Sequence, residues 1–464
     1  MKSVSKILAI AVMLFATCSG PNMNNGMLLL RVSENNRFIV TEDGQPFFWL
    51  GDTGWLLFKK LDRNEAEQYL EDRRSKGFNV IQVMVLHDLE DAVNTYGDSA
   101  FVNKDISHPL VTKGISSEDE AEYDFWDHVD YIIDLAAKKG IYMALVPIWG
   151  SNVKNELVTS EKIIKYGTWL AERYRNRKNI IWMNGGDIKG SDANEIWQSL
   201  GTTLNENDPN HLITFHPFGR TQSSMWFHNE AWLDFNMFQS GHRRYDQDDT
   251  ELNYGEDNWK YVKSDYALEP VKPTIDGEPS YEGIPQGLHD PSQPYWNDAD
   301  IRRYAYWSVF NGAFGFTYGN NAVMQFYKPG DTEAAYGAKK FWFEAINDPG
   351  ASQMVYLKNL ILSKSYFERI PDQSLIAGEK EEKYNYLAAT RGKDYALIYT
   401  FTGKIIKINM GLISGEEVKA SWFNPRDGKQ QEIGVFENSG IQEFDPPGEV
   451  VNGNDWVLIL DSVE

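Results

Sequence analysis

Eight apolar runs of strand length recur between residues 47 and 320, and most alternate with amphipathic stretches at helical spacing. They are FFWLGDTGW, NVIQVMVLHD, IYMALVPIWG, NIIWMNGGD, HLITFHPFG, FNMFQSGH, KPTIDGEPSYEG and AFGFTYGN. Between them, NEAEQYLEDRRSKGF is rich in helix formers and stops at Gly77, and FWDHVDYIIDLAAKKG stops at Gly140. EKIIKYGTWLAERYRNRKN and DADIRRYAYWSVFNG have the same character. A chain with eight such units can close a parallel barrel or form a doubly wound sheet. No G-x-G-x-x-G follows the first run and no G-x-x-x-x-G-K-[ST] occurs, so a nucleotide-binding sheet loses its main support and no cofactor is expected. The expected fold is α/β, a (β/α)8 TIM barrel.

Around Asp348-Pro349-Gly350 the last barrel helix is expected to begin, and after Ile370-Pro371-Asp372 the pattern changes. Short alternating segments separated by Gly, Asp and Asn turns point to a small C-terminal antiparallel β-sandwich over 371–464. The barrel is expected over 27–370, including an N-terminal hairpin marked by Asp43-Gly44 in RFIVTEDGQPF. This hairpin either plugs the barrel bottom or pairs with the C-terminal sheet. Residues 1–18 read as an export signal, with Lys2 and Lys6 ahead of the apolar Ile7 to Phe15. Cys18, the only cysteine, sits where a bacterial lipoprotein signal carries its lipidated residue. One thiol forms no internal disulfide and excludes a Cys-built zinc site.

In a barrel of this kind the site lies at the carboxyl ends of the strands. Reading those ends gives Asp52, His87, Trp149, Asn184 with Asp187, His216, Gln239 with His242, Glu278, and Tyr318 with Asn320. Turn chemistry alone would favour Gly, Ser, Asn and Lys; a His, acid, Trp or Tyr at so many ends predicts a polar pocket. Two carboxylates stand out, Asp187 after strand four and Glu278 after strand seven. Glycoside hydrolysis needs a proton donor at the leaving oxygen and a second carboxylate at the anomeric carbon. Strands four and seven lie across the barrel mouth, so their ends can flank one sugar ring. The plain alternative is a helix cap at Asp187 and a surface ion pair at Glu278.

These stretches resemble the large clan of retaining (β/α)8 glycosidases, and more closely the apiosidase-like family, glycoside hydrolase family 140. FFWLGDTGW, NGGD and DGEPSYEG carry the likeness, with WFNPRDG in a C-terminal module of collagen-binding type. The resemblance implies Asp187 as acid/base, Glu278 as nucleophile, and removal of apiose from pectin side chains. It leaves Glu282, four residues on, as a reserve nucleophile. The clan's usual Asn-Glu pair is replaced by Asn184-Gly185-Gly186-Asp187, which brings a shorter donor.

The chain carries 45 basic and 67 acidic residues, a net charge of −22, which disfavours nucleic acid. Contact with a membrane is expected only through a lipid at Cys18. Most of the 15 Trp and 24 Tyr must lie in the core, and a surplus of them also suits sugar stacking. An anionic pectin chain would then need local cations, Arg220, Arg243 or Arg244, unless these only balance Asp246, Asp248 and Asp249. Two competing functions remain: a glycan-binding barrel without catalysis, and a metal-dependent hydrolase using His87, His216 and His242. No H-x-H or H-E-x-x-H supports the metal.

Overall fold

The computed structural model describes residues 26–154, 158–379 and 381–463. Residues 1–18 with Cys18 lie outside them. Eight parallel strands form the barrel wall: β1 (Trp49–Thr53), β2 (Val80–Met84), β3 (Tyr142–Val146), β4 (Ile180–Ile188), β5 (Ile213–Pro217), β6 (Asn236–Gln239), β7 (Thr274–Asp276) and β8 (Gly315–Tyr318). They pair in the order β5-β4-β3-β2-β1-β8-β7-β6, with β1 joining β8 in register from Trp49↔Gly315 to Asp52↔Tyr318. Between β5 and β6 the ladder is thin. There the Asp234 N–H donates to Ile213 O at 2.9 Å and Thr214 Oγ1 to Phe235 O at 2.7 Å. The short strand Thr221–Gln222 runs antiparallel to β6 at this seam.

Helices start where side chains can accept their free amides. Asp62 and Glu65 cap Arg63–Ser75 reciprocally, Asp124 and Asp127 cap Phe125–Lys138, and Asn297 and Asp300 cap Asp298–Phe310. Pro349 opens the last barrel helix, Pro349–Leu362. One apolar core lies between the wall and helices such as Phe125–Lys138. A second fills the barrel with Ala144, Ile181, Met183 and Phe316 and runs on to Leu397 and Val457.

The N-terminal segment forms its own three-stranded sheet, Leu30–Val32, Ile39–Thr41 and Pro46–Phe47. It covers the amino ends of the wall: Tyr142 Oη donates to Leu28 O, Arg31 to Asn210 O, and Lys178 pairs with Glu42 at 2.6 Å. The hairpin is thus a bottom plug and does not pair with the C-terminal sheet. From Ile370 the chain builds a six-stranded antiparallel sheet faced by the pair Ile406–Asn409 and Ile441–Phe444. This is the expected sandwich, and its core includes Ile398, Trp422, Leu458 and Phe444.

Candidate active site

Strand β4 runs to Ile188 because Asn184-Gly185-Gly186-Asp187 continues it through a break in register against β5. Gly185 and Gly186 have φ of +88° and +116°, and no side chain would fit at either. A Cβ on Gly185 would lie 2.6 Å from His216 O, and one on Gly186 2.5 Å from the Trp149 ring. Asp187 itself has φ +47°, a conformation that residues other than Gly, Asn and Asp seldom adopt. The bulge turns the carboxylate out of the wall's alternation and toward the mouth.

Two histidines hold Glu278. His242 Nε2 lies 3.1 Å from Glu278 Oε1, and His216 Nε2 lies 3.0 Å from Oε2, the latter off the line of a good hydrogen bond. The opposite ring nitrogens face backbone donors. His216 Nδ1 accepts the Asp187 N–H at 3.3 Å, and His242 Nδ1 accepts the Tyr281 N–H at 3.3 Å. A ring that accepts at Nδ1 carries its hydrogen on Nε2, the nitrogen on the side of the carboxylate. Burial alone would push Glu278 up, but donation from His216 and His242 outweighs it and holds the carboxyl at about 2. Asp187 goes the other way: burial and the nearby Glu278 charge raise it, partly opposed by His216 and the Gly219 N–H. One carboxyl is kept ionised and the other is biased toward the acid form.

Among the remaining expected residues, Trp149 stays at the site, its ring 5.6 Å from His216. Gln239 is buried beside Gly219, with its Oε1 enclosed and without a protein partner among the described residues. His87 is exposed on a shallow cleft beside Trp55 and Met84.

The others point elsewhere. Asp52 turns out of the wall to helix Arg63–Ser75, bonded to Arg73 at 2.5 Å and Tyr69 at 2.7 Å. Asn184 donates to Trp197 O in the helix layer, because alternation puts Met183 inside and Asn184 outside. Tyr318 Oη donates to Glu282 at 2.6 Å, and Glu282 also accepts the Gly350 N–H at 3.1 Å. Glu282, pushed up to about 7 by burial, thus ties β8 to the last helix and is not presented as a nucleophile. Asn320 caps Asn321–Met324 and donates to Asp348.

Sequence reading missed three aromatics. Tyr281 lays its ring edge on His242 at 4.6 Å and brings its hydroxyl close to Glu278. Trp55 Nε1 donates to Tyr281 Oη at 3.1 Å, and its ring is 5.4 Å from His216. Tyr336, on the loop after β8, senses the charges of both Glu278 and Asp187. Trp55 and Tyr281 lie within FFWLGDTGW and DGEPSYEG, so proximity to the strand ends was their available signal; Tyr336 had none. The cations are mostly spoken for, Arg220 by Asp248 at 3.4 Å and Arg244 by Asp246 at 3.1 Å. Arg243 reaches only Gln247 O and, among the described residues, has no acidic partner within 4.0 Å.

The sequence and fold have known counterparts. The family described as "Apiosidase-like, catalytic domain" matches residues 33–368, and "Putative collagen-binding domain of a collagenase" matches 370–461. A solved structure titled "Glycoside hydrolase" is 49% identical, covers 94% of this chain and 97% of its own, and superposes with a TM-score of 0.87. A glycoside hydrolase family 5 structure from Bacteroides vulgatus is 46% identical, with 94% of each chain covered and a TM-score of 0.87. An endo-β-1,4-mannanase from Thermotoga petrophila, 14% identical over 90% of this chain and 92% of its own at a TM-score of 0.50, shares the fold alone. No curated protein matches. The chain belongs to the apiosidase-like family of glycoside hydrolases.

Proposed function

We propose that the protein is a retaining glycoside hydrolase of plant cell-wall polysaccharide that releases apiose-type side-chain linkages of pectin. The observation that carries the chemistry is the opposed bias of two carboxyls around His216, with Glu278 held ionised and Asp187 raised. In this reading Asp187 gives its proton to the leaving oxygen while the Glu278 carboxylate attacks the anomeric carbon, forming a glycosyl ester. Asp187, now a carboxylate, takes a proton from water, which displaces Glu278 from the sugar and completes net retention. Trp149 and Tyr336 offer ring surface to the sugar. The apiose and pectin assignment rests on the family description, and the half-buried Arg243 supports an acidic neighbouring sugar.

The test is sugar release from defined pectic oligosaccharides, with the product anomer followed by NMR. Release of the opposite anomer would exclude retention, and no release by the wild type from any glycan would favour a binding protein.

The histidine tautomers argue against the metal-dependent alternative. A metal on Nε2 would leave N–H on Nδ1, and metal-bound histidines direct that N–H at an acceptor. Here both Nδ1 atoms face backbone N–H donors. For localisation, we propose export and lipidation at Cys18. Cys18→Ser should move the protein from the membrane to the soluble fraction, and unchanged membrane association would overturn it.

A further inference from the structure

The loop that carries His242 is anchored at its far end by the C-terminal sandwich. It leaves β6 at Gln239, presents His242 to Glu278, and returns at Glu256-Asp257 to the helix Asn258–Tyr266. Asp248 knits it internally, accepting the Thr250 N–H at 3.0 Å and the Gly255 N–H at 2.7 Å. At the return, Glu256 is buried and receives three contacts. Arg303 Nη2 lies 2.7 Å from Oε2, and Tyr384 Oη lies 3.0 and 3.1 Å from the two oxygens. Arg303 is on the barrel helix Asp298–Phe310, whereas Tyr384 belongs to the C-terminal domain. The Tyr384 ring also meets Tyr245 edge-on at 5.7 Å, and Tyr245, three residues after His242, donates to Asp257 at 2.5 Å. Phe401 of the sandwich adds a further ring, 5.3 Å from the Arg303 guanidinium.

A second triad on the same helix has the same parts but different reach. Arg302 pairs with Asp455 at 2.8 Å, and Tyr399 Oη is 3.2 Å from Asp455. Tyr399 also stacks on Tyr306 at 4.8 Å. Both carboxylate and tyrosine here belong to the sandwich, so this triad docks the domain without touching the loop. The Arg303 triad differs only in that its carboxylate, Glu256, comes from the loop.

We infer that the sandwich domain sets the catalytic geometry through Tyr384, a positioning residue that holds the Tyr245 and Glu256 ends of the loop and so keeps His242 on Glu278. The inference rests on Glu278 being the nucleophile. Removing the ring at Tyr384 takes away the sandwich's contacts to Tyr245 and Glu256, leaves Glu256 to Arg303 and Tyr245 to Asp257 alone, and so loosens the segment that sets His242 on the carboxylate. Misplacement on the order of 1 Å at a reacting group costs about 100-fold in rate.

The experiment compares Tyr384→Ala, Tyr384→Phe and the matched docking control Tyr399→Ala in the full chain, with Glu278→Gln beside them. Turnover of a pectic oligosaccharide or an aryl glycoside is measured together with melting temperature and the 15N shifts of the His242 ring. Tyr384→Ala should lower kcat at least about tenfold with KM little changed. It should also move the His242 signals. Tyr384→Phe, which keeps the ring and the fold, should show a smaller loss in the same direction. Tyr399→Ala should lower melting temperature while kcat and the His242 signals stay at wild-type values. Equal kinetic losses at Tyr384 and Tyr399, or unmoved His242 signals in both Tyr384 variants, would overturn the inference. Full activity of Glu278→Gln would instead overturn the assignment of the nucleophile.

Discussion

His216 links the two acidic residues of the site, accepting the Asp187 backbone N–H at Nδ1 and turning Nε2 to within 3.0 Å of Glu278 Oε2. The bulge that delivers the acid thereby also sets the tautomer of the ring that holds the proposed nucleophile. Glu278 and Asp187 are then coupled twice, through this ring and through their charges.

Glu278→Gln should reduce turnover to background, since the amide keeps the size of the side chain but cannot attack. In a retaining enzyme, azide added to Glu278→Ala should restore product as a glycosyl azide of inverted configuration. Steady-state assay and NMR of the product check this, and an active Glu278→Gln would defeat the assignment.

Asp187→Ala should lose about 10²–10⁴-fold on natural glycosides, the usual worth of general acid catalysis. Aryl glycosides with acidic leaving groups, which need no proton, should lose far less in the first step. A uniform loss across leaving groups would remove Asp187 from the acid role.

The pH profile should be governed by the same pair. Glu278 must be ionised, and its depressed pKa, about 2, puts the acid limb of kcat/KM well below the ordinary glutamate range. His242→Ala removes a donor to Oε1, so the acid limb should move upward. The basic limb follows Asp187, which must be protonated, and Glu278→Gln should lower the Asp187 pKa by removing a neighbouring negative charge. NMR titration of the Asp187 carboxyl in that variant reads the second effect, and a rise instead of a fall would contradict the coupling.

Stability should increase as pH falls from about 8 to about 5. Asp265 and Asp276 are fully buried, and burial pushes each up to about 7. Their folded pKa lies above the unfolded value, so the folded state binds the proton more tightly. Their stabilising contribution is full below the unfolded pKa and is lost as pH rises through about 7. Each contributes a slope of at most about 1.4 kcal/mol per pH unit. Asp276→Asn should reduce the slope measured by denaturant unfolding; Asp276 Oδ1, which has no partner, leaves one side of the group free to change. An unaltered slope would show that Asp276 does not titrate there.

Chelator should leave activity unchanged, because the Nδ1 atoms of both histidines at Glu278 face backbone N–H donors, an arrangement a metal-bound ring does not take. Assay before and after exhaustive dialysis against chelator decides this; lost activity restored by a divalent ion would reverse the tautomer argument.

The alternation of apolar runs with helical stretches was enough to establish eight barrel strands, the later antiparallel sandwich and the ends where a site could lie. Those signals are local: a period of two or of 3.6 residues is written in neighbouring side chains. The same signals could place Asp187 and Glu278 only at strand ends. Which strand-end groups enter the mouth depends on the direction of each side chain, and a shift of one residue reverses it. Asp52, Asn184 and Tyr318 follow the alternation outward to helix or wall partners, whereas the Gly185-Gly186 bulge swings Asp187 inward. Trp55, Tyr281 and Tyr336 reach the site from segments whose path is set by packing at long range. The ionised state of Glu278 was likewise a tertiary outcome: it needs rings from β5 and the loop after β6, oriented by the amides of Asp187 within β4 and Tyr281 after β7.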